Sequence, residues 1–416
     1  MAHAKIAVIT QAVKLADEVA GLNRTSYIAE LLASEGYEVD LITSTFQHWE
    51  KQRRDIVDKK YWNLPYNVVF LDEPGYRKNI SLARIQSQRV FGTNLREYLE
   101  RLGSGYDLIW CQIPPNNIAA DAGTYAREHG VPFIVDVNDL WPEAMKMVLN
   151  APVVTDLILS SFTRDAETAY NAASAVVGTS DEYANRCKAD IEHLTVYVGG
   201  DVSRFDEGVR LHAPEIDKPA DEFWVTYAGS LAKSYVIPTL IRACAQAAPS
   251  IRDTGRKLKL LVLGDGPSRK KFEAVLSQCA IDAVFTGYLD YQVMAAYLAK
   301  SDILVNSLIK DSPQSIVSKI GDYLSAGKPI INTGESPEFM DKCITDGFGV
   351  NVKPENENAL AEALVALAKD DELRADRGKK GRSVAEEQFD RPRAYRSIVE
   401  LVDRTLAERT KAQASS

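Results

Sequence analysis

The sequence predicts an α/β protein made of two similar domains, each a parallel sheet with helices on both faces. Short apolar runs alternate with helical stretches along the chain, a rhythm that sets strands parallel and covers both sides of a sheet. Several runs end in turns of small residues, at Gly229-Ser230, Gly264-Asp265-Gly266 and Gly287. The 416 residues, 45% hydrophobic and 26% charged, suffice for two ordinary cores.

In the first half, Lys5 to Thr10 (KIAVIT) is an apolar run followed by a loop holding Gly21. Thr25 to Ser34 has helical spacing in Tyr27, Ile28, Leu31 and Leu32, Gly36 ends it, and Tyr37 to Thr43 is the next strand. Such a βαβ opening binds ligands at the carboxyl ends of its strands. Asp107 to Gln112, Phe133 to Val137 and Ala175 to Thr179 continue as buried strands, with a helix over Ala119 to His129. The loop after Val137, Asn138-Asp139-Leu140-Trp141-Pro142-Glu143, lies where such a sheet places chemistry. Asp139 reads equally as a helix cap ahead of Pro142.

A boundary is expected near Val202 to Glu222, where Gly208, Pro214 and Pro219 stand among charges and periodicity lapses. Beyond it, Phe223 to Ala228, Leu258 to Leu263 and Val284 to Thr286 are strands entering glycine turns, with a helix from Pro238 to Ala248. Small residues there let backbone approach a ligand. Ile303 to Val305 is a further strand. Helices follow at Ala359 to Ala368 and Arg382 to Glu387, and an amphipathic one at Arg393 to Arg409.

The stretch Ser312 to Thr333 (SPQSIVSKIGDYLSAGKPIINT) organises the second half. Gly327 and Pro329 stop a helix expected from Ser315, and Ile330-Ile331 restarts as strand. The amino end of that helix opens at the mouth of the sheet, with unpaired N–H groups and partial positive charge suited to a diphosphate. Lys319 and Asp322 share a helix face, so a cation can reach phosphate while a carboxylate accepts from sugar hydroxyls. An ordinary solvated ion pair is the other reading.

Five scattered cysteines without metal-ligand spacing read as reduced thiols of a cytosolic protein. No charged-then-apolar leader and no run near about 18 apolar residues is present. Net charge is −9, which argues against a nucleic-acid partner. Charge is uneven, however. From Lys51 to Arg101, arginines and lysines, among them Arg53, Arg54, Lys59, Lys60, Arg77, Lys78, Arg84, Arg89 and Arg96, interleave with Tyr61, Trp62, Tyr66, Tyr76 and Phe91. This segment either docks peripherally on an anionic membrane or is a solvated face over an ordinary core.

Laid out this way, the chain resembles the GT-B glycosyltransferases of family 4, retaining enzymes that use nucleotide-sugar donors. The resemblance rests on GSL at Gly229, LGDGPSRKKFE from Leu263, FTGY from Phe285, SKIGDYLSAGKPIIN from Ser318 and GVNVKPENENALAEAL from Gly349. In the first half it rests on NRTSYIAELLASEGYEVDLITS, DLWPE at Asp139 and VGGDVSRF at Val198. It implies two facing Rossmann-like domains with a cleft between them and the C-terminal helix crossing back. The domains are then 1–205 with 393–416, and 206–392.

By that resemblance the second domain binds a nucleoside diphosphate, UDP by family habit. Asp322 stands at the second Glu of the family's E-x7-E motif, accepting from ribose, and Gln314 replaces the first. Tyr288 and Leu289 stand at the base, and Ser315, Ile316 and Val317 offer N–H groups. Gly229, Ser230, Leu231 and Gly266 belong to the same donor site. Ser230 and Tyr235 occupy positions where many members carry Arg and Lys on the diphosphate, so Lys319, with Lys233 second, is assigned the missing charge. Asn138 stands where some members place a His, and it and Gly21 are assigned to the acceptor side.

The expected reaction is retaining transfer to a sugar acceptor, lipid-linked for cell-surface polysaccharide, at the inner face of the cell membrane. Negative charge building on the leaving diphosphate is met by Lys319. Asp139 orients donor or acceptor, and no cofactor or resident metal is expected because no acidic cluster suits one. Two rivals share the scaffold: a non-hydrolysing sugar-nucleotide epimerase and a non-catalytic binding protein. A dinucleotide oxidoreductase fits less well, since no G-x-G-x-x-G follows the first strand.

Overall fold

The computed structural model describes residues 4–15, 18, 23–103, 105–139, 141, 152–187, 190–312 and 316–414. The chain divides into two compact units, Met1–Val196 with Tyr395–Ser416, and Tyr197–Ala394.

The first unit is built on a parallel sheet of seven strands: β1 (Lys5–Ile9), β2 (Glu38–Ser44), β5 (Asn67–Leu71), β6 (Leu108–Ile113), β7 (Phe133–Val137), β8 (Ala175–Gly178) and β9 (Glu192–Thr195). Their order is β5-β2-β1-β6-β7-β8-β9. A small antiparallel hairpin, β3 (Phe46–Gln47) and β4 (Gln52–Arg53), stands apart from it. Strands β1, β6 and β7 read as near-continuous apolar runs because both faces are covered, and their residues are almost all buried. Helices Leu82–Leu102 and Asn116–His129 bury Phe91, Leu95, Leu99, Ile118 and Tyr125 in that core.

The C-terminal helix Arg396–Ala414 belongs to this unit, with Ile398, Leu401 and Val402 buried. Arg409 bonds to the Asp107 carbonyl at 2.7 Å. Tyr395, just before the helix, accepts a 2.9 Å hydrogen bond from Arg24. Arg24 also forms a bidentate pair with Asp136 at 3.0 and 3.1 Å, both side chains buried.

The second unit holds a parallel sheet of six strands: β10 (Glu222–Ala228), β11 (Lys257–Leu263), β12 (Asp282–Gly287), β13 (Ile303–Asn306), β14 (Ile330–Asn332) and β15 (Gly349–Asn351). Their order is β12-β11-β10-β13-β14-β15. One face packs Tyr227, Leu240, Leu260 and Leu364, the other Trp224, Leu304, Tyr323 and Phe348.

Three sequence expectations change here. Val202 to Glu222 is not a linker throughout: Asp201 caps a helix, Val202–His212, by accepting from the Arg204 N–H at 2.8 Å. Its buried face is only Val202, Phe205 and Gly208, which is why apolar periodicity lapsed. Gly208 serves packing, since a Cβ there would sit 2.7 Å from Gln292 Cα.

The helix expected from Ser315 begins instead at Ile320 and runs to Ser325. Val317 precedes it in a tight turn, its carbonyl accepting from Ile320 N–H at 3.0 Å. In the basic segment, Tyr61, Tyr66, Tyr76 and Phe91 are buried, and Arg54 is buried on Glu18 at 2.7 Å. Much of the segment is therefore ordinary structure, a strand and a long helix over the first core. What it exposes is Ile56, Val57, Trp62, Ile80 and Leu82, interspersed with exposed Lys59, Arg77, Lys78 and Arg89.

Candidate donor site at the carboxyl edge of the second sheet

In the second sheet β10 is flanked by β11 on one side and β13 on the other, so the connections diverge between β10 and β13. Open parallel sheets bind ligands at such a divergence, beyond the carboxyl ends of the strands. The Gly229 turn leaves β10 there, and Ile316 to Ser325 lies between β13 and β14.

Gly229 takes a φ of +146°, and its N–H donates to the Leu263 carbonyl at 2.9 Å. The next two glycine turns lean on this one. A Cβ on Gly264, at φ +134°, would lie 2.1 Å from the Gly229 carbonyl oxygen. A Cβ on Gly266 would lie 2.7 Å from that of Leu231. Gly266 therefore lets two loops come together. Leu231 likewise has a core side chain and an N–H already donating to Asp265 at 2.9 Å. Both shape the loop.

Lys319 is the residue on which the site turns. Its Nζ is buried without a hydrogen-bond partner among the described residues and lies 4.1 Å from the ring centres of both Tyr227 and Tyr235. The two rings meet edge to face at 5.6 Å. The Tyr227 hydroxyl donates to the Ser230 carbonyl at 2.8 Å, tying that ring to the Gly229 turn. A Cβ on Gly229 would come 3.2 Å from the Lys319 Nζ. Burial pushes the amine well below its ordinary range. The solvated Lys–Asp pair is thus not what forms.

Asp322, one helical turn on, is half-buried, and its Oδ1 accepts from the Tyr291 hydroxyl at 2.9 Å. Burial pushes its carboxyl up to about 6, against the opposing effects of Tyr291, Arg391 and Arg204. Gly200 approaches closely, where a Cβ would sit 3.3 Å from Oδ1. Tyr323 anchors the helix: its buried hydroxyl accepts from the Ala228 N–H at 2.7 Å and donates toward the Val305 carbonyl at 3.3 Å. One hydroxyl thereby pins the Lys319–Asp322 segment to the ends of β10 and β13.

Gly229, Ser230, Lys319 and Asp322 are thus gathered at one sheet edge. Ser230 and Lys233 are exposed on the loop after β10. Tyr288 is 70% exposed after β12, Leu289 half-buried beside it, and Ile316 and Val317 are half-buried. Gln314, Ser315 and Gly21 lie outside the described residues. In the first unit, Asn138 follows β7, its N–H donating to Ile113 at 2.9 Å and its amide to the Asp136 carbonyl at 3.0 Å. Asp139 is exposed next to it. Sequence reasoning missed Tyr227, Tyr291, Tyr323 and Arg204. The only available signal was a tyrosine hydroxyl inside or beside an apolar run, which needs a partner when buried.

Residues 222–370 match the family model described as Glycosyl transferases group 1. Over nearly all its length the chain superposes on sucrose-phosphate synthase from Thermosynechococcus elongatus, with a TM-score of 0.70, 19% identity, and coverage of 98% of this chain and 100% of that one. HepE of Anabaena, solved in complex with UDP, superposes with a TM-score of 0.69 at 14% identity, covering 96% and 99%. The fold is GT-B. Within that fold, the stretch matching the family model is the second domain's sheet and the turns described above. A curated relative, the 2-deoxystreptamine glucosyltransferase of Streptomyces kanamyceticus, is 30% identical over 95 residues. That match spans about a quarter of the relative, 24% of its length, and 22% of this chain.

Proposed function

We propose that this chain is a retaining glycosyltransferase of the family 4 type, moving a sugar from a UDP-sugar to a sugar acceptor. The observation that carries the reading is the Lys319 amine: a buried nitrogen without a hydrogen-bond partner among the described residues, under two tyrosine rings, at the β10/β13 divergence. Leaving such a group unpaired costs stability, and a ligand bringing anionic oxygens relieves that cost. Asp322, a turn away, supplies acceptors for ribose hydroxyls. The match of residues 222–370 to group 1 glycosyl transferases, and the UDP in the HepE structure, support the same assignment.

In the proposed reaction the donor's glycosidic bond to the diphosphate breaks through an oxocarbenium-like state while charge gathers on the leaving oxygens. Lys319, protonated against the diphosphate, stabilises that charge, and backbone N–H groups of the Gly229 turn and of Ile316 and Val317 add to it. No resident metal is assigned a part. Asp139 is assigned to orient the donor sugar or the acceptor hydroxyl, and Asn138 to the acceptor side.

The acceptor is proposed to be lipid-linked, in cell-surface polysaccharide or glycolipid synthesis, with the protein bound peripherally to a membrane. Exposed Trp62, Ile56, Val57, Ile80 and Leu82 next to exposed basic residues support this, since apolar insertion and charge together give stable binding. No helix among the described residues is long and apolar enough to cross a membrane.

The first test is thermal stabilisation across UDP, GDP, CMP and NAD, followed by product analysis with a UDP-sugar panel. A shift with UDP, lost in Asp322→Ala, is expected. A shift with NAD alone would overturn the reading. Flotation with phosphatidylserine vesicles at low salt tests the membrane component, where Trp62→Ala should reduce binding.

A further inference from the structure

Asp322 has a neighbour that the donor-site reading does not use. The Tyr291 hydroxyl, from a helix 31 positions away in sequence, donates to its Oδ1 at 2.9 Å. Tyr291 opens the helix Tyr291–Lys300, directly after the turn that carries Tyr288 and Leu289. The Arg204 guanidinium stacks on its ring at 4.9 Å. Arg204 is itself fixed in the first turn of the Val202–His212 helix, which packs on the Tyr291–Lys300 helix where Gly208 meets Gln292. Tyr291 is therefore held on its ring face by Arg204 and at its hydroxyl by Asp322.

We propose that Tyr291 is a positioning residue that sets the preference for ribonucleotides, by fixing the rotation of the Asp322 carboxylate so that its remaining lone pairs face both ribose hydroxyls. The inference rests on the donor-site reading above and adds a residue to it. A carboxylate has about four acceptor sites on two oxygens and rotates readily when nothing orients it. One strong donor on Oδ1 removes that freedom before the nucleotide arrives, so less ordering is left to bind against. The same tyrosine begins the helix whose preceding turn is assigned to the base. Base and ribose contacts are thus set by one element.

The groups facing Asp322 are Tyr291 from its helix, Arg204 from Val202–His212 with Asp201 capping that helix, Arg391 from Arg391–Ala394, and the neighbouring Tyr323. Of these, Tyr291 and the two arginines favour the ionised carboxylate, against the burial that raises it. Removing the hydroxyl should move the acid limit of nucleotide binding upward.

The test uses the full chain and isothermal titration with UDP and with 2′,3′-dideoxy-UDP, which lacks both hydroxyls. Tyr291→Phe keeps the ring against Arg204, and its fold is checked by thermal unfolding. The expected result is UDP binding weakened about three- to tenfold, dideoxy-UDP binding unchanged within about twofold, and an acid midpoint for UDP above the wild type's. In the Asp322→Asn background the same change should have no further effect on UDP. Equal losses on both nucleotides, or no loss on either with an unmoved midpoint, would overturn the proposal. Wild-type protein that binds neither nucleotide overturns the donor-site reading itself, and this inference with it.

Discussion

The Lys319 Nζ lies 4.1 Å from the centre of the Tyr235 ring, and no hydrogen-bond acceptor among the described residues reaches it. A cation held by ring faces alone is worth roughly 0.5–2 kcal/mol, less than the cost of sealing an ammonium from water. The amine is accordingly driven toward its neutral form in the free protein. Under the proposed function it becomes a cation when the diphosphate binds.

Lys319→Met should separate function from stability. Turnover of the UDP-sugar should fall at least about tenfold to hundredfold, because a charge-assisted contact in a closed site is lost. The unfolding temperature should stay level or rise, because a buried unpartnered amine gives way to an apolar chain of similar length. Calorimetry adds a second reading. UDP binding by the wild type should take up a proton, seen as a dependence of the apparent enthalpy on buffer ionisation, and Lys319→Met should abolish that uptake. A variant that keeps both turnover and proton uptake would remove Lys319 from the site.

Asp322 gives an opposite pH signature for ligand and fold. Its carboxyl is raised by burial to about 6, above the ordinary value of 3.8. The native state then binds the proton more tightly than the unfolded chain, so this group's contribution to stability is present at low pH and lost as pH rises through about 6. Ribose hydroxyls need the ionised form, so UDP affinity should instead fall as pH drops through the same range. Paired titrations of Tm and of UDP affinity (1/Kd) from pH 5 to 8 should show opposite slopes, both flattened in Asp322→Asn.

Gly264→Ala should damage the site from outside it. The added methyl would lie 2.1 Å from the Gly229 carbonyl oxygen, at a φ of +134° that side chains rarely adopt. A cost of about 1–3 kcal/mol in denaturant unfolding is expected, together with weaker UDP binding because the Gly229 turn is displaced. An unchanged Kd would show that the turn does not carry the donor.

Arg24→Ala should destabilise the first domain by about 3–5 kcal/mol, since it strands the Asp136 carboxylate in the core. That carboxylate is fully buried and loses its bidentate partner. Chemical denaturation monitored by probes in each domain should show the first domain unfolding earlier, with UDP stabilisation of the second retained.

The strands were legible because fully covered parallel strands are written as short apolar runs, and IAVI in β1, LIWC in β6 and LLVL in β11 are each continuous. The helix Val202–His212 was not, since its inner face includes a glycine, which is apolar only by what it lets approach. Lys319 and Asp322 stood out by their one-turn spacing, but the sequence could not distinguish a solvated pair from two groups with separate surroundings. That difference is made by Tyr227, Tyr235 and Tyr291, which arrive from other elements. Gly266 and Leu231 were recognisable as belonging to the loop. Their role in shaping it appears only when both loops are seen together.

The return of Tyr395–Ser416 to the first unit also has a bearing on synthesis. When Arg24 and Asp136 have left the ribosome, the hydroxyl of Tyr395 that completes their cluster is still untranslated, with all of Tyr197–Ala394 in between. At ordinary elongation rates that interval is about 10–40 s. The nascent first domain spends it with an apolar strip uncovered where Ile398, Leu401 and Val402 will lie. The second unit, Tyr197–Ala394, is continuous in sequence, so its own contacts do not wait for the last helix to be made.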